Sequence, residues 1–220
     1  NLTNVSQPVN PDIDYTFLNN TLKASASWFA QVAAVSSLIV TTNNAITSDS
    51  TSIYVTGYYD TPAAVYDSNG INVTTLPLGG SNDCFIVKYS TSGNVEWATR
   101  ISGGGASETR GLAITTGSGD VYVTGRYDTD ITIYNSDGTP FATTLTNSGS
   151  YDCFVVKYDS LGNVQWVTRI AGTGSDIGHS ISLDPSGNIY ITGEYSSNPV
   201  TIYNSSGSTF TTLSTIAGGG

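Results

Sequence analysis

The sequence predicts an all-β protein built from three repeats. Its composition and the spacing of its rarest residues are the observations behind this prediction. The 220 residues include 14 Tyr, 6 Phe and 3 Trp with many Val, Ile and Thr, which are the residue types that fit a pleated, half-buried strand surface. The 24 Gly, with abundant Asn and Ser, supply tight turns. Trp28, Trp97 and Trp166 are spaced by 69 residues, and Cys84 and Cys153 are also 69 residues apart.

A second marker fixes the register of the repeat. The tetrapeptide Tyr-Val-Thr-Gly at residues 54–57 recurs at 122–125 and, as Tyr-Ile-Thr-Gly, at 190–193. Three markers in register indicate an internal repeat, which decides the architecture. The residues that we expect at equivalent places in the core are Trp28, Trp97, Trp166, Tyr54, Tyr122, Tyr190, Gly57, Gly125 and Gly193.

The repeat divides the chain into four segments. Counting back 14 residues from each tryptophan gives Asp14, Asp83 and Asp152. The predicted segments are an N-terminal extension at 1–13, a degenerate repeat 1 at 14–82, repeat 2 at 83–151 and repeat 3 at 152–220.

One period contains six short strands. In repeat 2 the predicted strands are 83–89, 95–101, 111–115, 121–127, 131–135 and 141–146, separated by turns rich in Gly, Asn, Asp and Ser. No repeating segment shows the 3.6-residue periodicity of a helix. Four strands with an extra hairpin predict a propeller-type blade, a four-stranded antiparallel sheet whose faces pack on neighbouring blades.

Three motifs of repeat 3 carry a resemblance to a known family. Residues 152–158 are Asp-Cys-Phe-Val-Val-Lys-Tyr, residues 162–166 are Gly-Asn-Val-Gln-Trp, and residues 186–193 are Ser-Gly-Asn-Ile-Tyr-Ile-Thr-Gly. They resemble the seven-bladed β-propeller repeat family of bacterial and giant-virus proteins, closely over 83–213 and more loosely over 14–82. The resemblance implies a secreted or surface protein, on a cell or a virion, and it brings no catalytic residues.

The phase of the repeat predicts an incomplete last blade. Repeat 3 ends at Gly220, where the earlier repeats continue into the strands at Asp83 and Asp152. Its blade is therefore expected to lack its last strands, whereas residues 14–32 carry that strand type. Three blades are too few for a ring of roughly four to eight. We therefore expect self-assembly into a homo-oligomer or filament by strand donation between copies.

Charge and hydropathy exclude several classes of function. The chain has 17 acidic and 7 basic residues and a net charge of -10, the opposite of the basic footprint that nucleic-acid binding requires. No apolar run approaches the ~20 residues of a membrane span, so no membrane insertion is expected. Because the chain contains no methionine, residue 1 is not expected to be the initiator of synthesis.

The sequence predicts no enzyme and no cofactor. The histidine His179 lies in Ser175-Asp176-Ile-Gly-His-Ser, but a local run of Ser, Asp and His does not make the three-dimensional geometry of a triad. The two cysteines should lie about 10 Å apart on neighbouring blades, beyond the ~7 Å limit for a disulfide. We therefore expect two buried thiols. No zinc site is expected, because the two cysteines and one histidine do not have the spacing of zinc ligands.

Acidic turns and sequons leave weaker alternatives. Calcium could bind at Asp128 and Asp130, at Asp67 and Asn69, or at Asn135 and Asp137, although turn chemistry alone explains these residues. Candidate glycosylation sequons begin at Asn1, Asn4, Asn19, Asn72 and Asn204.

Two functions are compatible with the sequence. The first is a non-enzymatic, self-assembling structural protein of an extracellular or virion surface. The alternative is a propeller module that binds a glycan or a protein, of which this chain is a fragment or half of an oligomeric propeller. Tyr58, Tyr59, Tyr127 and Tyr195 follow the Thr-Gly motifs and could stack on sugars, although such rings usually fill interfaces.

Overall fold

A computed structural model of the chain describes residues 31–34 and 41–214, which contain seventeen β-strands and no helix. The strands are β1 Gln31–Ala34, β2 Thr41–Ser48, β3 Ser52–Tyr59, β4 Ala63–Tyr66, β5 Asn72–Leu76, β6 Asp83–Ser90, β7 Val95–Ser102, β8 Thr109–Gly117, β9 Asp120–Tyr127, β10 Ile131–Tyr134, β11 Pro140–Leu145, β12 Asp152–Tyr158, β13 Val164–Ala171, β14 Asp176–Leu183, β15 Ile189–Tyr195, β16 Val200–Tyr203 and β17 Thr209–Leu213. The all-β prediction is confirmed, and the six strands expected in repeat 2 begin and end within two residues of β6 to β11.

Two complete sheets have six antiparallel strands each. The sheet in the order β2-β3-β6-β7-β10-β11 is called blade I, and the sheet in the order β8-β9-β12-β13-β16-β17 is called blade II. Two smaller sheets flank them in sequence: β1-β4-β5, the N-terminal part-sheet, and β14-β15, the C-terminal part-sheet. The sequence predicted three four-stranded sheets with an extra hairpin. Instead, the hairpin continues each complete sheet to six strands.

Each complete sheet takes strands from two repeats. Blade I combines β2 and β3 of repeat 1 with four strands of repeat 2, and blade II combines repeats 2 and 3 in the same way. The inner strands β6 and β12 are buried along nearly their whole length because both faces of the sheet are covered. This explains their continuous apolar sequence.

The extra hairpin connects neighbouring sheets. β10 and β11 lie in the chain between β9 and β12, which belong to blade II, yet β10 pairs with β7 of blade I through Thr132 opposite Ser102 and Ile133 opposite Ile101. The β16–β17 hairpin likewise follows β15 of the C-terminal part-sheet and joins blade II. The β10–β11 and β16–β17 hairpins thus each tie a sheet to the one before it.

Blades I and II share one hydrophobic core cluster. Trp97 of blade I packs 6.1 Å from the ring of Tyr158 of blade II, and its Nε1 donates a hydrogen bond to the Ser160 carbonyl at 3.1 Å. The turn of the β10–β11 hairpin contacts the turn between β12 and β13 of blade II, which also contains Ser160. There the Ser136 hydroxyl donates a hydrogen bond to the Leu161 carbonyl at 2.8 Å. Apolar burial and polar contacts therefore join the two blades at one place.

Candidate interaction surface

The Tyr-x-Thr-Gly motif forms one surface on three strands. The motif lies on β3, β9 and β15, and a second tyrosine follows two residues after each glycine. In blades I and II the outer edge of this strand pairs with β6 and β12, whose sequence is Asp-Cys-Phe-x-Val-Lys-Tyr. The motif is therefore the place where two successive repeats join.

The glycine of the motif is required by a bulge in the neighbouring strand. β2, β8 and β14 each shift register opposite it, so that a Cβ at Gly57, Gly125 or Gly193 would overlap a backbone carbonyl oxygen of that strand. On the neighbouring strand β12, Phe154 Cε1 lies 3.0 Å from the position of a Cβ on Gly125. An alanine at Gly125 would therefore overlap the backbone of β8 and crowd the phenylalanine of β12.

The threonine of the motif orders the incoming strand. Thr56 donates its hydroxyl to the Phe85 carbonyl at 2.8 Å, and Thr124 donates to the Phe154 carbonyl at the same distance. Both threonines are fully buried. A buried hydroxyl needs a partner, so this bond selects the register in which the phenylalanine carbonyl faces the threonine.

The cysteines belong to the same junction between blades. Cys84 and Cys153 are free, buried thiols, as their spacing predicts, and burial raises their pKa to about 12 and about 11. Gly178 of β14 packs against Cys153, because a Cβ there would lie 2.7 Å from its Sγ atom. Gly111 packs against Cys84 in the same way. These thiols are small packing groups, since reactive cysteines have lowered pKa values.

The same motif is uncovered on β15. Among the described residues only β14 pairs with β15, and its outer edge has no partner strand there. Tyr190 is 58% exposed, whereas the equivalent Tyr54 and Tyr122 are 1% and 7% exposed. Tyr195 is 41% exposed, whereas its two equivalents are fully buried. We call Tyr190, Thr192, Gly193 and Tyr195 of β15 the open strip.

The tryptophan markers have different surroundings. Trp97 is buried between the two blades, whereas Trp166 is half-buried and lies 6.2 Å from the ring of Tyr122 in its own blade. Trp166 lacks the second ring that Tyr158 provides for Trp97 in the described part of the chain. Trp28 lies outside the described residues, so its place stays a prediction.

The sequence-predicted polar candidates do not form a reaction centre in the described residues. His179 is exposed on β14 with its Nε2 3.6 Å from Glu194 Oε1, whereas Asp176 is buried and accepts a hydrogen bond from the Ser197 hydroxyl at 2.6 Å. No group of three or more His, Cys, Asp or Glu side chains suited to a metal occurs in residues 31–34 and 41–214. The absence of an enzyme activity and of a cofactor stays a prediction.

The acidic turn residues use their oxygens within the protein. Asp67 accepts backbone hydrogen bonds from Asn69 and Ile71 at 2.8 and 2.9 Å, and the bond from Ile71 is the main cause that lowers its pKa. Asp137 accepts a similar bond from Thr139 at 2.8 Å. The candidate calcium residues Asp128, Asp130 and Asn135 also accept hydrogen bonds, respectively from the backbone amides of Glu108, Asn147 and Val164.

Two of the candidate glycosylation sites lie in the described residues. Asn72 begins β5 and Asn204 follows β16, and both are exposed. Asn1, Asn4 and Asn19 lie outside the described residues. The described chain contains no helix that is long and apolar enough to cross a membrane.

Sequence reasoning missed Gly111 and Gly178 and the paired role of the motif threonine. The two glycines occupy the same place in the bulges of β8 and β14, opposite Gly125 and Gly193. Alignment of the repeats would have found both glycines, but it would not have shown that they contact the cysteine thiols.

Comparisons with known proteins agree with this architecture. The family model described as "Beta-propeller repeat" matches residues 165–198. An uncharacterized WD repeat-containing protein of Acanthamoeba polyphaga mimivirus is 33% identical over 159 residues, which cover 70% of this chain and 11% of the viral protein. Regulatory protein FlaEY of Caulobacter vibrioides is 26% identical over 162 residues, 70% of this chain and 15% of that protein. The chain thus spans a small part of the length of both relatives.

Proposed function

The chain is a β-propeller repeat protein, and we propose that it is a non-enzymatic structural protein of an extracellular, cell or virion surface that self-assembles by strand addition at β15. The observation that carries this proposal is the open strip, because the equivalent residues are buried in both complete blades, where β6 or β12 pairs with the motif strand. An unpaired sheet edge is a template for a strand from another chain.

The exposed surface extends beyond β15 to the outer edge of blade II. Leu213 and Phe210 of β17 are 43% and 73% exposed. The equivalent Leu145 is buried in blade I, and Phe141 packs against the core cluster that blade I shares with blade II. A second strand, paired with the strand added at β15, would cover both residues. The surface therefore fits a pair of strands of the kind that β6–β7 and β12–β13 supply.

The two part-sheets supply complementary portions of one blade. β14 and β15 correspond to β8 and β9, and β1, β4 and β5 correspond to β13, β16 and β17. The strand between these portions corresponds by spacing to residues 14–20, which lie outside the described residues. A C-terminal part-sheet of one copy and an N-terminal part-sheet of the next, joined by that strand, would make one six-stranded blade.

This arrangement narrows the proposed donor segment. Gln31 and Val32 of β1 pair with Tyr66 and Val65 of the same chain, as β7 pairs with β10 in blade I. They therefore stay in the N-terminal part-sheet, and the proposed donor narrows to residues 14–30. A head-to-tail contact of this kind closes into a ring or continues as a filament, depending on its rotation.

Asn43 favours the filament. It lies opposite Gly57 in β2, the position that Gly111 and Gly178 occupy in β8 and β14. Each glycine leaves no room for a Cβ against the threonine and thiol of the preceding sheet. The asparagine side chain would keep the junction between copies from repeating the internal junctions, so the rotation between copies should differ from that between blades.

The deciding experiment compares two truncations by mass photometry and negative-stain microscopy. Removal of residues 1–27 deletes the proposed donor strand and should leave monomers lighter than the 23.0 kDa of the full chain. Removal of residues 1–13 is the matched control, because it spares the donor, and it should assemble like the full chain. Assembly of the chain that lacks residues 1–27 would contradict the proposal, as would a monomeric full chain.

A glycan-binding module is the second candidate, because a polar groove separates the two outer hairpins. It lies between β11 and β13, and Thr144, Arg169, Tyr203, Asn204 and Ser206 line it. The Arg169 guanidinium stacks 4.5 Å from the centre of the Tyr203 ring, which fixes the ring in place. Hydroxyls beside a fixed aromatic ring suit a sugar. Binding on a glycan array that is lost in Tyr203→Ala would support this function, and no binding by the wild type would remove it.

A further inference from the structure

We propose that the open strip selects its strand by side chain, and that its occupant is a strand of the sequence Asp-x-Phe-x-x-Lys-Tyr from another β-propeller repeat. The inference rests on the strand addition proposed above and specifies its partner. β6 and β12 carry this sequence and occupy the equivalent place in blades I and II. The side chains that contact them there predict what β15 accepts.

The register of the internal strands transfers directly to β15. In blade II, Asp152 lies opposite Tyr127, Phe154 opposite Gly125 and Lys157 opposite Tyr122. Blade I has the same register, with Phe85 opposite Gly57 and Lys88 opposite Tyr54. An added strand on β15 would therefore place its aspartate at Tyr195, its phenylalanine at Gly193 and its lysine at Tyr190.

The phenylalanine position is the most selective. In blade I Phe85 lies opposite the glycine of the motif, its ring is 6.5 Å from the ring of Tyr59, and it is fully buried. The open strip presents the same two elements, Gly193 and Tyr195, both exposed. A phenylalanine ring would be buried against these two residues, whereas a small polar side chain would leave the Tyr195 ring exposed to water.

Thr192 supplies a hydrogen bond that fixes the strand. Its two equivalents both donate to the carbonyl of the incoming phenylalanine at 2.8 Å. Thr192 is exposed on β15. In the transferred register its hydroxyl faces the same carbonyl. It would therefore add one side-chain hydrogen bond to the backbone hydrogen bonds between the two strands.

The lysine position is recognised by an aromatic ring. Lys88 Nζ lies 5.7 Å from the centre of the Tyr54 ring, and Lys157 Nζ lies 5.5 Å from that of Tyr122. Tyr190 offers the equivalent ring to solvent. A cation over this face is favoured by the ring quadrupole.

The corresponding segment of a second copy meets these requirements only in part. Asp14 keeps the aspartate, but Thr16 and Asn19 stand where the other repeats have phenylalanine and lysine. The self-contact is therefore the weaker one, and the open strip binds a complete repeat strand more tightly than residues 14–20 of its own sequence. The open strip would thus bind residues 14–20 of a second copy reversibly and the strand of a complete repeat tightly.

The test measures the binding of labelled synthetic peptides to the chain that lacks residues 1–27, by fluorescence anisotropy. The peptide of residues 151–159, with Cys153→Ser against oxidation, should bind at least about tenfold more tightly than the peptide of residues 13–21. Phe154→Thr in the first peptide should weaken binding by at least about tenfold, and Lys157→Asn by about two- to fivefold.

A variant of the protein locates the binding at β15. Thr192→Val should weaken the binding of the first peptide by about two- to tenfold. Thr212→Val makes the same change on the exposed edge strand β17 and should leave binding unchanged. Equal losses in the two variants would place the peptide elsewhere and overturn the inference.

The remaining outcomes separate the two proposals. If both peptides bind equally, the side-chain selection is wrong and strand addition stands. If neither peptide binds while the full chain assembles and the chain without residues 1–27 does not, the open strip is not a free binding site for a repeat strand. If neither peptide binds and the full chain stays monomeric, both proposals fail.

Discussion

At the residue scale, equivalent residues differ in burial because their neighbours differ. Trp97 contacts the next blade through a ring and a hydrogen bond, whereas Trp166 has the ring of Tyr122 in its own blade. The sequence placed both residues at one position of the repeat. It could not rank their exposure, since burial depends on a neighbouring sheet and not on the residue type.

The glycine of the motif gives a direct test of the bulge geometry. We expect Gly125→Ala to lower the free energy of unfolding by about 3 kcal/mol or more, because the new Cβ would overlap the Arg110 carbonyl oxygen and crowd Phe154. Gly104→Ala is the matched control, since a Cβ at Gly104 meets nothing within 4 Å. Chemical denaturation measures both. Equal stability of the two variants would show that the bulge accommodates a methyl group.

Asp152 predicts how stability depends on pH. Burial raises its pKa from 3.8 to about 6, so the folded state holds this proton more tightly than the unfolded state. Stability should therefore fall as pH rises from about 4 to about 6, by about 3 kcal/mol at full ionisation. Asp152→Asn should remove that part of the fall in urea titrations at pH 4 to 7.

Asp137 is the control with the opposite sign. Hydrogen bonds from the Thr139 hydroxyl and amide lower its pKa, so its contribution is present above pH 4 and is lost as pH falls below it. Asp137→Asn should leave the slope between pH 4 and 7 unchanged. A wild-type stability that rises over this range would contradict the assignment to Asp152.

At the element scale, the strands could be predicted from the sequence, but the sheet that each hairpin joins could not. Turn residues and alternating apolar positions located β10 and β11 to within one residue. The pattern identifies a buried face, but not the strand that pairs with the edge. The hairpin's return to the preceding blade follows from the pairing of β10 with β7, which no local signal carries.

The β10–β11 hairpin should stabilise the pair of blades. Ile133 is fully buried in the core cluster that blades I and II share, and Ile133→Ala should cost about 2–5 kcal/mol by removing apolar contacts and leaving a cavity. Ile71, which is 60% exposed before β5, is the control, and Ile71→Ala should change stability by less than about 0.5 kcal/mol. A loss below 1 kcal/mol in Ile133→Ala, measured by thermal unfolding, would show that the hairpin is not part of the common core.

At the scale of the whole molecule, the described chain holds two complete blades and two part-sheets. The phase of the repeat predicted an incomplete last blade, because the Asp-x-Phe strands recur at a fixed distance before each tryptophan. The complementarity of the part-sheets could not be predicted, since it needs the assignment of each hairpin to the preceding sheet. The candidate site follows from that assignment, because it identifies β15 as an inner strand that pairs with β14 alone among the described residues.

Hydrogen exchange at β15 tests the central claim most directly. The measurement compares the amides of Ile189–Tyr195 in the assembled full chain with those in the chain that lacks residues 1–27. Strand addition predicts that the outward-facing amides of β15 exchange much more slowly in the assembled chain, while those of the buried strands β6 and β12 are equally protected in both. Equal exchange at β15 in an assembled and an unassembled chain would contradict the account.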